Sequence, residues 1–409
     1  TGNRGWRSTR LGRRSHCLKA IPDENCQRMK IACISASTVP SNTANSIQVM
    51  KACQALAQLG HEVRLFVPKM GVEMAPAEAL QAHYGLQTGF PVEWLPANLR
   101  LHRYDLGWRA VRCAISWQAD LIYTWLPQAA LSGRLHGFPL VMELHGPPEG
   151  RFGPALYRRV WGLPGKLRLM PITQALADLL SQSGLPLSQA DGRISTVISP
   201  NGIDLERFAN LPDPAEARRQ LGLPEKPTAG YTGHLYAGRG TALLTELARR
   251  LPEVQFLWAG GREAEVQAWQ ARLKAEGLIN VHLTGFIENR QLPLYQAAAE
   301  VLLMPYERAI SGSSGGNSAG YASPMKMFEY MACRRAILSS DLPVIREVLN
   351  DTNAVLCPPE DSAAWTDALS ALLADEARRK ALATQAWQDV QPYTWLERAR
   401  RGLAGFPNP

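Results

Sequence analysis

Several common signatures are missing from this 409-residue chain, and each absence narrows what it can be. No run approaches the roughly 20 apolar residues that a membrane-spanning helix needs. The N-terminus is basic but lacks the apolar core of a secretory signal. Seven cysteines (Cys17, Cys26, Cys33, Cys53, Cys113, Cys333 and Cys357) are scattered without a CxxC pair, and read as reduced thiols of a cytoplasmic protein, several of them in the core. No GxGxxG follows Ile34 or any later predicted strand, which argues against a dehydrogenase. No Asp-x-Asp metal motif occurs, and neither a metal nor another cofactor is expected.

What is present is ordinary globular composition, 46% apolar and 20% charged, in a chain long enough for two or three domains. The net charge of +8 is unevenly spread. Residues 1–28 hold seven cationic side chains against Asp23 and Glu24, so +5 sits there and +3 on the remainder. That segment is expected to be a disordered basic extension. No aromatic or motif pattern marks it as a nucleic-acid arm, so no nucleic-acid partner is expected.

From Lys30 onward, short apolar runs alternate with helical periodicity. Strands are predicted at 30–34, 62–67, 121–124, 140–143 and 194–198, then at 228–232, 255–259, 281–284, 301–304, 336–340 and 354–356. Helices are predicted at 46–59, 241–251, 263–276, 291–299 and 362–374. The alternation predicts an α/β protein with parallel sheets covered on both faces. It restarts after Ser199-Pro200-Asn201-Gly202, so two doubly wound domains hinged near Pro200 are expected, with ligands in the cleft beyond their strand ends.

The richest stretch is Ser323-Pro324-Met325-Lys326-Met327-Phe328-Glu329-Tyr330-Met331-Ala332. It reads as a helix with Ser323 as N-cap and Pro324 at the first helical position. Free N–H groups of Met325 and Lys326 would favour an anion. Glu329, one turn on, could accept hydrogen bonds from the hydroxyls of a ribose. Together they suit a nucleoside diphosphate; an ordinary capped helix with a solvated Glu329 is the other reading. The preceding run, Ser311 to Gly320, reads either as a flap over the nucleotide or as a solvated insertion.

In order along the chain, six stations resemble the retaining glycosyltransferases of family 4. They are Ala57 to Val63, Leu144-His145-Gly146, Ser199 to Phe208, Tyr231-Thr232-Gly233-His234 with Arg239-Gly240, Pro305 with Ser323 to Leu349, and Tyr393-Thr394-Trp395. The resemblance implies the GT-B architecture, two Rossmann-like domains facing across a cleft. Residues 29–199 would form the acceptor-side domain and 200–390 the nucleotide-sugar donor domain, with 391–409 a helix crossing back to the first. It also implies retaining, metal-independent transfer of a sugar from a nucleoside diphosphate sugar to a glycan or lipid-linked acceptor.

The same resemblance distributes roles. Arg239 becomes the main diphosphate clamp, aided by Gly233, His234, Met325 and Lys326, and His234 stands where the family more often has arginine. Glu329 takes the ribose; Gly285, Phe286 and Ile287 lie near the nucleobase; His145 lies near the reacting end of the donor sugar. Tyr321 replaces a glutamate that many relatives carry, within a Ser-Pro-x-Lys-x-x-Glu-Tyr variant branch. Lys326 could compensate, or snorkel to solvent. Arg334 departs from the usual glycine after this helix. Ser41, Asn42, Thr43 and Asn45 either bind acceptor or cap the following helix.

Two basic, aromatic segments, Arg100 to Trp117 and Arg151 to Arg168, suit either an anionic membrane surface, giving peripheral attachment at its inner face, or a solvated helix face. The rivals to a transferase are a same-fold epimerase or phosphorylase, or a catalytically weak nucleotide-sugar-binding module.

Overall fold

The computed structural model describes residues 28–69, 74–309 and 317–407. The proposed basic extension and most of the glycine-serine run lie outside them.

The first half runs β1 (Lys30–Ile34), α1 (Ala44–Gln58), β2 (Glu62–Pro68), α2 (Ala77–Tyr84), β3 (Val92–Leu95), α3 (Tyr104–Ser116) and β4 (Leu121–Thr124). It continues through α4 (Pro127–Leu135), β5 (Leu140–Leu144), α5 (Gly153–Gly162), β6 (Leu167–Pro171), α6 (Gln174–Gln182) and β7 (Ile194–Thr196). The second half begins α7 (Pro214–Leu221), β8 (Thr228–Thr232), α8 (Thr241–Arg250), β9 (Gln255–Ala259), α9 (Glu263–Ala275), β10 (Val281–Gly285) and α10 (Leu292–Ala297). It ends β11 (Val301–Met304), α11 (Met325–Ala332), β12 (Ala336–Ser340), β13 (Val355–Cys357), α12 (Ser362–Ala374), α13 (Glu376–Val390) and α14 (Trp395–Leu403).

The strands form two parallel sheets, ordered β3-β2-β1-β4-β5-β6-β7 and β10-β9-β8-β11-β12-β13. β4, β5, β6, β8, β9, β11 and β12 are buried along their whole length because helices cover both faces. In each sheet the winding reverses once, between β1 and β4 and between β8 and β11. Crevices open at the carboxyl ends of strands on either side of such a reversal.

Helix α14 lies against α1, and Trp395, Ala399, Leu403 and Phe406 are buried in the core built by Ile31, Val49, Leu65 and Val141. Gly202 lies beneath Trp395, where an added Cβ would sit 2.7 Å from the indole and 2.8 Å from the Trp395 nitrogen. Further ties join the halves. Glu347 accepts the Gln174 and Ala175 N–H groups at the start of α6, both at 2.8 Å. Lys51 pairs with Asp204 at 2.5 Å.

Two sequence expectations need correction here. Pro324, not Ser323, is the N-cap of α11, and no side chain caps that end. The Ser323 hydroxyl instead accepts the Asn201 N–H at 3.1 Å, while Asn201 Nδ2 donates to the Ser323 carbonyl at 2.6 Å. Nor is Arg151 to Arg168 a single helix face. Arg168 sits in β6, donating to Ser195 Oγ at 2.7 Å and to the carbonyls of Gly402 and Ala404. Arg334 takes a left-handed φ of 55° at the end of α11, a position that favours glycine, with its guanidinium 3.9 Å from the Trp387 ring centre.

Candidate active site

A cavity of about 690 Å³ lies between the halves. Its lining includes Ala36, Trp125 and Leu126, just beyond β1 and β4, and Gly233 and Tyr306, just beyond β8 and β11. The ligand space therefore follows from strand order.

The second-half wall is cationic. β8 delivers Gly233, whose φ of +140° suits glycine and whose missing Cβ leaves room for Lys326 Nζ, 2.6 Å from where that carbon would be. Lys326 Nζ sits 4.1 Å from the Tyr231 ring centre and makes no ion pair among the described residues. Arg239 lies over the Tyr236 and Tyr306 rings at 4.9 and 5.4 Å and donates Nη2 to the Tyr236 hydroxyl at 2.7 Å; its buried Nε has no hydrogen-bond partner among the described residues. Burial, then the nearby Arg239 charge, pushes Lys326 well below the ordinary lysine value. Burial, then Arg239, also lowers His234, which favours its neutral imidazole. Lys326 thus points into the cleft wall, and the snorkelling reading is set aside.

Glu329 lines the same cavity and accepts Gln296 Nε2 at 3.0 Å. Gln296 also reaches Thr232 Oγ1 at 3.3 Å, fixing the carboxylate from behind. Met325 joins the lining, at the uncapped end of α11. Gly285, Phe286 and Ile287 are absent from the lining of this cavity; Gly285 pairs through its carbonyl with Gly260 N at 2.8 Å, and Phe286 is 57% exposed.

The first-half wall centres on His145, which follows β5 directly. His145 Nε2 lies 3.0 Å from Glu143 Oε2. Sequence reasoning passed over Glu143, whose side chain is fully buried inside the strand. It receives Arg398 of α14 through two bonds of 2.6 and 2.8 Å, Gln48 Nε2 at 2.7 Å, and the Tyr123 hydroxyl. Burial alone would raise this carboxyl; the Arg398 charge overrides it and holds it well below the usual range. The one available signal was a glutamate inside the apolar run Leu140 to Leu144.

Asn42 and Asn45 line the cavity. Thr43 does not; its hydroxyl caps α1 by accepting Ser46 N, and Ser41 Oγ bonds Thr43 Oγ1 at 2.9 Å. The Tyr321 ring rests against Gly146, 3.5 Å from where its Cβ would be, and its carbonyl accepts the Thr173 hydroxyl at 3.1 Å. That residue therefore spans the two halves next to His145.

Residues 46–207 match the Glycosyltransferase Family 4 domain and residues 226–375 the Glycosyl transferases group 1 domain. The chain belongs to the glycosyltransferases. Among relatives of this glycosyltransferase is D-inositol 3-phosphate glycosyltransferase of Xylanimonas cellulosilytica, 26% identical over 90% of this chain and 94% of that protein. Phosphatidyl-myo-inositol mannosyltransferase of Mycolicibacterium smegmatis is 24% identical over 90% of each. Among solved structures, sucrose-phosphate synthase from Thermosynechococcus elongatus superposes with a TM-score of 0.70 at 20% identity, over 91% of this chain and 96% of that one. Anabaena HepE in complex with UDP-glucose gives 0.67 at 18%, over 92% and 98%. The glycosyltransferase has the GT-B fold of these neighbours.

Proposed function

We propose that this glycosyltransferase moves a sugar from a nucleoside diphosphate sugar to a glycan or lipid-linked acceptor, with retention and without a metal. The observation that carries this reading is the pairing of Arg239 and Lys326 on one wall, both half-enclosed and neither in an ion pair among the described residues. Two such cations repel each other and lose solvation; a diphosphate would relieve both costs. The uncapped start of α11 adds N–H groups of Met325 and Lys326 beside them. That HepE is solved with UDP and with UDP-glucose supports a nucleotide donor.

In the reaction, the anomeric C–O bond to the diphosphate breaks and its electron pair stays on the leaving phosphate. Arg239 and Lys326 stabilise that developing charge. Glu329, held by Gln296, takes the ribose hydroxyls. The acceptor oxygen bonds to the anomeric carbon from the same face, and its proton passes to the leaving phosphate oxygen. His145 faces the donor sugar as a hydrogen-bonding group, and Asn42 and Asn45 meet the acceptor.

The acceptor's setting is read from the surface. Leu99, Leu101, Tyr104, Trp108 and Phe152 are exposed among Arg100, Arg103, Arg109, Arg112 and Arg151, and Arg103 also lines the cavity. Apolar tips beside arginines suit an anionic bilayer carrying the acceptor. Among the described residues no helix is long and apolar enough to cross a membrane. The deciding test is a thermal-shift series with UDP, GDP, ADP and their sugars. A nucleotide at a hundredfold excess over its Kd should stabilise by about 2.7 kcal/mol. Release of free nucleoside diphosphate only when an acceptor is present separates transfer from epimerisation.

A further inference from the structure

The Glu143 cluster is larger than a structural salt bridge requires, and it ends at the site. An ionised carboxylate only accepts hydrogen bonds. A neutral His145 placed 3.0 Å away through Nε2 must therefore carry its proton on Nε2, which leaves Nδ1 as the acceptor of a residue lining the cavity. We infer that Glu143 is a positioning residue that fixes the tautomer and heading of His145, and that Arg398, arriving from the last helix, holds Glu143 in place for that task. The inference rests on the reading of His145 as a group facing the donor sugar.

The geometry makes Arg398 the junction. Its Nη1 and Nη2 grip the two Glu143 oxygens at 2.6 and 2.8 Å. Its Nε donates to the Pro200 carbonyl at 2.9 Å, and Nη2 also reaches the Ser199 carbonyl at 3.2 Å. One planar guanidinium thus ties the segment joining the two halves to the strand that bears His145. The other groups facing Glu143 are Gln48 from α1 and Tyr123 from β4, both donors to the carboxylate. Neither neutral donor can replace the positive charge. Without Arg398 the buried carboxylate would lose its ion-pair partner, and nothing would hold its oxygens in the heading that orients His145.

The test compares the full chain with Glu143→Leu/Arg398→Met, which removes the pair but keeps an apolar filling, each made with and without His145→Ala. Nitrogen-15 NMR reads the His145 tautomer, calorimetry reads UDP binding, and UDP release from UDP-glucose in the presence of a glycan and lipid acceptor pool reads turnover. The wild type should show a single Nε2-protonated form, and the double variant a mixture. Turnover should fall at least tenfold with UDP affinity unchanged, and in the His145→Ala background the same pair of changes should cost nothing further. A single Nε2-protonated tautomer in the double variant, or an equal turnover loss in both backgrounds, overturns the inference. Full turnover in His145→Ala alone would instead remove the catalytic reading of His145 while the tautomer result still judges Glu143. If UDP-glucose is not a donor, the tautomer decides alone. Should the double variant not fold, Glu143→Met/Arg398→Leu offers a second apolar pair for the same spectra.

Discussion

Arg239 and Lys326 lie over one tyrosine ring, Tyr306, at 5.4 and 5.5 Å from its centre. Neither cation is in an ion pair among the described residues, and if the proposed diphosphate binds here it would meet both charges at once. Replacing Arg239 with alanine should weaken UDP binding and lower transfer by roughly two orders of magnitude. Titration calorimetry and steady-state rates on the folded variant check this; unchanged values would take Arg239 out of the site.

Glu329 offers a sharper chemical test. If its carboxylate grips the ribose, Glu329→Ala should weaken the ribonucleotide much more than its 2′-deoxy analogue. Equal losses for both would mark Glu329 as a partner of Gln296 and nothing more.

The lowered Lys326 sets a pH dependence. Between its folded value and the ordinary 10.5, the free protein has already lost the proton that diphosphate binding restores. Binding should therefore take up a proton, and UDP affinity should fall as pH rises through that lowered value. Calorimetry in buffers of different ionisation enthalpy measures the uptake. Lys326→Arg keeps its charge and should flatten the profile.

Vesicle sedimentation addresses the exposed arginine and aromatic face. The full chain should pellet with phosphatidylglycerol vesicles, release in high salt, and ignore phosphatidylcholine. Trp108→Glu together with Phe152→Glu should abolish pelleting while leaving UDP binding intact. Pelleting that survives both changes would locate membrane contact elsewhere.

Gly202→Ala tests the packing of the last helix. A methyl group there meets Trp395 backbone and indole at 2.7 to 2.9 Å, none of it free to swing aside. A loss of about 1–3 kcal/mol is expected from such overpacking, read by denaturant unfolding.

Much of this was legible beforehand because burial on both faces leaves an unbroken apolar run. β1, β4, β8, β9, β11 and β12 have the predicted bounds. β3 was missed because it is a half-buried edge strand with Glu93 in it, and β6 because Arg168 interrupts it. The site divides in the same way. Gly233, His234, Arg239, Lys326, Glu329 and His145 could be found from local motifs, and the structure gathers all six around one cavity. Glu143 and Arg398 could not, since no local pattern shows which distant arginine will reach a buried glutamate. Gln296 behind Glu329 was hidden for the same reason. Ser323 looked like a cap because Ser-Pro is a usual helix opening, yet Asn201 claims its hydroxyl.

The seating of α14 in the first-half core has a consequence for how the molecule is made. Domains generally fold in order as they leave the ribosome, but here the side chains that close the first core, Trp395, Ala399, Leu403 and Phe406, follow the whole second half in chain order. The first half must wait with an open apolar groove until the second half has been built, so the first core is closed only after the second half exists. A chain stopped before Trp395 should bind a hydrophobic dye that the full chain does not. Translation thereby completes the first-half wall, with Arg398 gripping Glu143 beside His145, only after the opposite wall has been made.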